Sequence, residues 1–198
     1  MTAQNMVDNV ARQLSNLKVG DTTVPANEAT LLRFLNLAKN QIATDTLTWL
    51  SGEIVTMTSS YEYTLASVPI QIIDIYDDKQ NIRPRNSTDR LGYYQLSPQV
   101  IYVNNPEVDT DLQLNYYYTP ADYILTDTLD VPPGMELAME YFMKALAYDI
   151  YKSEKEQALS AKAMQDYEKY KNIYLSKTDN GNVDSIIKVN LIAQKGLV

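Results

Sequence analysis

The chain has 198 residues, 17 basic and 25 acidic side chains, and a formal net charge of −8 at pH 7. That length suits one globular domain, or a core with one inserted lobe, and 45% hydrophobic against 21% charged residues is enough apolar material to bury a core. The absence of Cys and His removes disulfides, thiol nucleophiles, cysteine–zinc sites, the Ser-His-Asp triad and imidazole acid–base chemistry.

Met6, Val10, Leu14 and Leu17 recur at three- and four-residue steps and predict a short first helix, with Gly20 as its stop. Asp21 to Ala26, with Pro25, reads as a linking loop. A second helix is expected from Asn27, whose side chain can accept from the open amides of the first turn. Leu31, Leu35, Ala38 and Ile42 form its apolar stripe, with Arg33, Lys39 and Asn40 off it. The threonines between Thr44 and Thr48 weaken helix propensity and leave its end open.

From Ser51 to about Leu129 the period becomes two. Glu53 to Thr58 alternates polar groups with Ile54 and other apolar ones. Tyr61, Tyr63 and Leu65 share a face, Gln71 to Tyr76 is rich in isoleucine, and Gln99 to Val103 is a short apolar strand. In Asp111 to Thr119, Leu112, Leu114, Tyr116 and Tyr118 point one way, and Asp111, Gln113, Asn115 and Tyr117 the other. Breaks at Pro69, Pro84, Pro98, Pro106 and Pro120 predict an antiparallel sheet or small sandwich.

Pro132-Pro133-Gly134 opens a third helix with Met135, Met139, Phe142, Leu146 and Ile150 as its stripe. Ser153 and Glu156 match a capping box, so a turn and a fresh helix are expected there. Leu159, Ala163, Tyr167, Tyr170 and Tyr174 are its inward positions, and Asp179-Asn180-Gly181 its end. In the tail, Ile187, Val189 and Leu191 alternate with Lys188 and Asn190.

The expected fold class is α+β. Residues 1–50 and 131–178 would form the two halves of a four-helix bundle, because neither helix pair buries its stripe alone. Residues 51–130 would form an inserted antiparallel β-lobe, and 179–198 an extended C-terminal arm. Met1 to Ala11 lack Lys, Arg and a long apolar run, so no secretory signal is expected. No stretch approaches the roughly 20 apolar residues of a spanning helix. The protein is expected to be soluble and made in a cytoplasm, and Asn86-Ser87-Thr88 then reads as a polar loop rather than a glycosylation site.

Catalytic chemistry finds little footing. Asp74, Asp77 and Asp78 cluster after one strand, and Glu107, Asp109 and Asp111 before another. Paired carboxylates could serve glycoside hydrolysis, but acidic groups at strand ends read first as solvated turns. Asp109-Thr110-Asp111 lacks the sixth-position Gly and twelfth-position Glu of an EF-hand loop. No phosphate-cradling Gly-rich loop and no nucleophile elbow is present. No catalytic residue, metal ligand or cofactor is therefore assigned.

Binding features stand out more. Sixteen Tyr against two Phe and one Trp suit surfaces where a ring is buried and its hydroxyl stays wet. Alternation sets Tyr117 opposite Tyr116 and Tyr118, which favours packing over a stacking platform. Arg83, Arg85 and Arg90, with Lys79, make a local basic loop that reads either as solvated or as a contact with an acidic partner surface. Ile187, Val189 and Leu191 suit an arm that pairs with its own β-lobe or adds to a neighbour.

The order of parts resembles the head-to-tail adaptor (connector) proteins of tailed bacteriophages. The likeness runs from about Leu31 to Leu175: the helix Leu31-Leu32-Arg33-Phe34-Leu35-Asn36-Leu37-Ala38; the strand entry Tyr63-Thr64-Leu65 followed by Ile70 to Tyr76; Gln99 to Val103 leading to Leu112 through Pro120; and Asp130-Val131-Pro132-Pro133 returning into Met135 to Tyr151. The resemblance implies a non-enzymatic ring subunit, usually dodecameric in that family, bound under the portal and joined to the next tail or ring protein. The genome would pass through it without specific binding, and the protein would reside in the virion at the head–tail interface. A different class also fits the residues: a carbohydrate- or protein-binding β module of the tail on a helical stalk.

Overall fold

The computed structural model describes residues 1–15, 18–19, 22–23, 27–56, 61–76, 82, 92–104, 111–150 and 154–179. Among them lie four helices, α1 (Ala3–Ser15), α2 (Glu28–Thr46), α3 (Glu136–Asp149) and α4 (Glu154–Asp179). The strands are β1 (Lys18–Val19), β2 (Thr22–Thr23), β3 (Leu50–Thr56), β4 (Glu62–Thr64), β5 (Pro69–Tyr76), β6 (Gly92–Ser97), β7 (Val100–Asn104) and β8 (Asp111–Tyr118). The fold is α+β, and the chain divides into two compact units, residues 1–39 with 123–198, and residues 40–122. No helix among the described residues is long and apolar enough to cross a membrane.

In the discontinuous unit, α1 buries Met6, Val10 and Leu14 completely, as its spacing requires. Its first residues are tied to the loop before α3. Thr2 bridges Thr128, the Ala3 amide donates to the Asp127 carbonyl (2.9 Å), and the Leu129 amide donates to the Met1 carbonyl (2.9 Å). Asn36 of α2 clips the same loop. Its Oδ1 accepts from the Tyr123 amide (2.7 Å) and its Nδ2 donates to the Tyr123 carbonyl (3.1 Å), so one side chain satisfies both backbone groups. Gly134, at φ +92°, makes the turn into α3, and its amide donates to Glu136 Oε2 (2.9 Å).

The stripe expected on α3 is only half right. Met135 and Met139 are buried, but Phe142 and Leu146 are half-buried and Ile150 is 55% exposed. Ala138, Met143, Ala145, Ala147 and Tyr148 are buried instead. The reason is that α3 packs on two sides, against α1 and along α4. Its alanines admit close neighbours, and Phe142 meets the Tyr167 ring edge-on at 5.1 Å. On the α1 side the buried Glu140 accepts from Asn9 Nδ2 (2.9 Å), Gln13 Nε2 (2.8 Å) and Lys144 Nζ (2.7 Å). α4 buries Ala163 and Tyr167 along its expected stripe, with Leu159, Tyr170 and Tyr174 half-buried. Glu156 is fully buried; its proposed capping partner Ser153 lies outside the described residues, as do Gly20 and Leu17.

α2 starts as expected, Asn27 Oδ1 accepting from the Ala29 amide at 2.9 Å. It runs through the threonines, because Thr44 and Thr46 turn their hydroxyls back to the carbonyls of Asn40 (3.0 Å) and Ile42 (2.8 Å). Leu47, at φ 48°, ends it in the left-handed conformation, its amide donating to the Ala43 carbonyl. Lys39, placed off the stripe by spacing, is fully buried, with Nζ 4.5 Å from the Tyr123 ring centroid. Its long stem packs like an apolar chain, and the ring face receives the charge.

The unit of residues 40–122 is built on two three-stranded antiparallel sheets, ordered β3-β8-β5 and β4-β7-β6. Both contribute to one core of Tyr63, Leu65, Ile75, Ile82, Ile101, Val103, Leu112, Leu114 and Tyr116. Tyr63 with Leu65, and Leu112 with Leu114 and Tyr116, occupy the faces their alternation predicts. β3 takes the opposite register from the one its isoleucine suggests: Ile54 is 73% exposed, while Glu53 pairs with Leu114 and Val55 with Leu112 on the inner side. Two elements were not read from the sequence. In the β1–β2 hairpin, β1 lies before Gly20, where the first helix is expected to continue but has already ended at Ser15, and β2 pairs with it from within the linking loop; β6 precedes the turn at Pro98.

Replacing Glu140 by Ala would leave Lys144 buried without its counter-charge, at a cost of about 3 kcal/mol. The Tm by circular dichroism should fall by roughly 6–12 °C for a chain of this size. Glu140→Gln, which keeps an acceptor but not the charge, should recover part of that loss.

Candidate interaction surfaces

The residues first singled out for partner contact, Arg83, Arg85, Arg90, Ile187, Val189 and Leu191, lie outside the described residues, and so do Asp77, Asp78, Glu107 and Asp109. Two of the acidic candidates can be placed. Asp74 accepts from Asn115 Nδ2 (2.6 Å) and Asp111 from the Thr56 hydroxyl (2.7 Å). Each is tied to a neighbouring strand rather than paired with a second carboxylate. Among the described residues, no group of three His, Cys, Asp or Glu side chains comes together to hold a metal ion.

What the strands do present is two outward faces with apolar and aromatic content. On β3-β8-β5, register aligns Ile54, Gln113 and Tyr76 in one row, and Gly52, Asn115 and Asp74 in the next. A bulge between Ile72 and Asp74 leaves Ile73 exposed as well. On β4-β7-β6, Glu62, Tyr102 and Tyr94 form a row. The rings of Tyr94 and Tyr102 stack at 5.0 Å, Tyr61 tilts against Tyr102 at 6.1 Å, and Leu96 is exposed beside them. The Tyr-Gln-Leu-Ser-Pro run after Gly92 carried this signal, an aromatic-rich stretch ending at a turn proline.

The tyrosine run of β8 is used for packing. Tyr116 is fully buried and Tyr118 packs against the same core, their rings 6.4 Å apart, while Tyr117 faces the other way and is half-buried. The Tyr116 hydroxyl donates to Glu53, whose carboxylate also accepts from the Ala66 amide (3.0 Å). Burial first, and the Glu53 carboxylate second, push the Tyr116 phenol above its ordinary value of 10.0. Burial raises Tyr123 far more, with help from its bond to Asp130. Tyr93 is raised by burial and by Asp74, Tyr148 by burial, and Tyr141 by burial and its neighbours Tyr170, Asp166 and Glu140.

A family model described as SU10 adaptor protein matches residues 1–185 of the chain. No curated protein matches it.

The raised tyrosines set an alkaline limit. Their ionised forms are disfavoured in the folded state, so the stability they carry is whole below about pH 10 and is lost as pH climbs toward the folded-state values. Melting temperatures taken between about pH 8 and 11.5 should fall steeply above 10. Tyr123→Phe should be less stable at pH 8 but show a shallower alkaline fall, because one titrating group is gone.

Proposed function

The chain belongs to the SU10 adaptor protein family, a head-to-tail adaptor family of bacteriophages, and from that premise we propose that it forms the ring joining portal to tail and lining the genome channel. As a family member it is a structural adaptor of the virion that works with other head and tail proteins. The ring, its dodecameric number, and its attachment to portal on one side and to the next tail or ring protein on the other are our inference. The observation that carries it is a family match spanning all four helices and both three-stranded sheets.

Several features support this reading. A net charge of −8 suits a channel wall that repels phosphates and lets DNA pass without sticking. The exposed Ile54, Ile73 and Tyr76 give a sheet face suited to burial in an assembly. In this proposal residues 1–50 and 131–178 close as one four-helix bundle, 51–130 are the inserted lobe, and Arg83, Arg85 and Arg90 meet an acidic surface of a neighbour or ring partner. Residues 179–198 form the arm, most of it beyond the family match. Ile187, Val189 and Leu191 would add to a neighbouring chain by strand pairing. The stacked Tyr94 and Tyr102 favour the second reading, a β module that binds carbohydrate or protein.

Negative-stain microscopy and particle mass separate the two: a symmetric ring supports the adaptor reading, and a persistent monomer held on a glycan column supports the module. Changing Arg83, Arg85 and Arg90 together to Glu should impair assembly with the portal while leaving the circular dichroism of the subunit unchanged; normal assembly would remove that loop from the interface. Deleting residues 183–198 should leave cooperative melting intact and abolish attachment to the portal or next ring. Unchanged attachment, or a large fall in subunit stability, would sink the arm.

A further inference from the structure

Charge is strongly segregated along this chain. No Lys or Arg stands between Arg90 and Lys144, where eight carboxylates fall, whereas Lys144 to Val198 holds nine lysines against seven carboxylates. Within the discontinuous unit this leaves two unlike surfaces.

The basic one is on α4. Lys155, Lys162 and Lys169 repeat at seven-residue intervals, 20° short of two full turns, so they descend one side of the helix about 10.5 Å apart. All three are exposed, and so is Lys177, eight residues after Lys169. Ile173 lies on the same side and is 40% exposed. The ion pair described on α4, Lys171 with Glu168 at 2.8 Å, is off this stripe; Asp166, four residues after Lys162 and three before Lys169, lies within it and is half-buried.

The acidic one is the loop before α3, with Asp127 and Asp130 around Ile124, which is 61% exposed. The loop is firmly held. Asp127 Oδ2 accepts from the Ile124 amide (2.8 Å), and the Ala3 and Gln4 amides of α1 donate to the carbonyls of Asp127 (2.9 Å) and Leu125 (3.1 Å).

The two surfaces lie on different flanks of α3. Glu140 faces α1, which carries the loop, whereas Tyr141, Phe142 and Ala145 face Tyr170, Tyr167 and Ser160 of α4. At 100° per residue the middle of that second set is roughly 150° round the helix from Glu140. A chain with a basic flank and an acidic flank on opposite sides cannot match a second copy by a two-fold contact of like with like. It matches head to tail.

Resting on the ring reading, we propose that the Lys155-Lys162-Lys169 face of α4 takes the Ile124–Asp130 loop of the next copy, with Ile173, one turn beyond Lys169, packed against Ile124 and the charges beside them. An exposed isoleucine within each charged patch suits a protein partner better than a phosphate backbone, and the overall −8 charge repels nucleic acid at long range.

The native chain has no cysteine, so single cysteines report the contact cleanly. Thr126→Cys and Gln165→Cys chains, mixed and treated with a short bismaleimide, should give the mixed dimer in about ten-fold excess over either homodimer. Adding Lys155→Glu, Lys162→Glu and Lys169→Glu to the Gln165→Cys chain should cut that yield about ten-fold, as should about 1 M salt. Rings that form without the mixed crosslink overturn this contact and leave the ring reading standing. A mixed crosslink without rings keeps the contact and overturns the ring. A chain that stays monomeric at every concentration and gives no crosslink overturns both. Retention of duplex DNA that is lost in the triple Glu variant would assign the stripe to nucleic acid and overturn the proposal.

Discussion

A carboxylate removed from water must recover its lost hydrogen bonds or be neutralised, and Glu140 does both with three side chains. Asn9 and Gln13 come from the first helix, and Lys144 from one turn further along its own. The link joins segments more than a hundred residues apart, and it is directional where apolar packing is not. The alanines and methionines around it would accept a small slide of α1 along α3 at little cost, but the two amides reach Glu140 only in one register. The hydrophobic contacts supply most of the driving force, and this polar node selects the alignment.

The unit of residues 40–122 obeys the same rule with a different pair. Glu53 on an edge strand faces inward, and the Tyr116 hydroxyl and the Ala66 amide meet it there. That bond helps hold β3 in the register that turns Ile54 outward. A one-residue slip would bury Ile54 and expose Val55, at the cost of the bond between Glu53 and Tyr116. An outward isoleucine is thus a consequence of an inward glutamate.

These polar selections explain where sequence reasoning succeeded and where it failed. Periodicity located all four helices and the central strand β8, because Met6-Val10-Leu14, Leu31-Leu35-Ala38 and Leu112-Leu114-Tyr116 each bury one clean face. It misplaced Ile54, Lys39 and the far half of α3, where the deciding term was a specific partner: Tyr116 for Glu53, the Tyr123 ring for Lys39, and a second helix flank for α3. No count of apolar residues along one segment encodes a partner on another. The charge segregation was in plain view, but its meaning was not, because only packing puts α4 and the Ile124–Asp130 loop on different flanks of one helix.

The division of the chain has a temporal side. Residues 40–122 form a continuous stretch whose two sheets find all their strands within about eighty residues, so this part can complete its core while the rest is still being synthesised. The other unit cannot. Met1 waits for Leu129, Asn36 for Tyr123, and Asn9 for Glu140, so α1 leaves the ribosome with its apolar stripe unmatched and stays so until the chain has grown past residue 140. For that interval Met6, Val10 and Leu14 are exposed in the nascent chain. Early residues therefore spend longest without partners, and the speed of the later contacts sets how often α1 meets another nascent chain instead of its own α3.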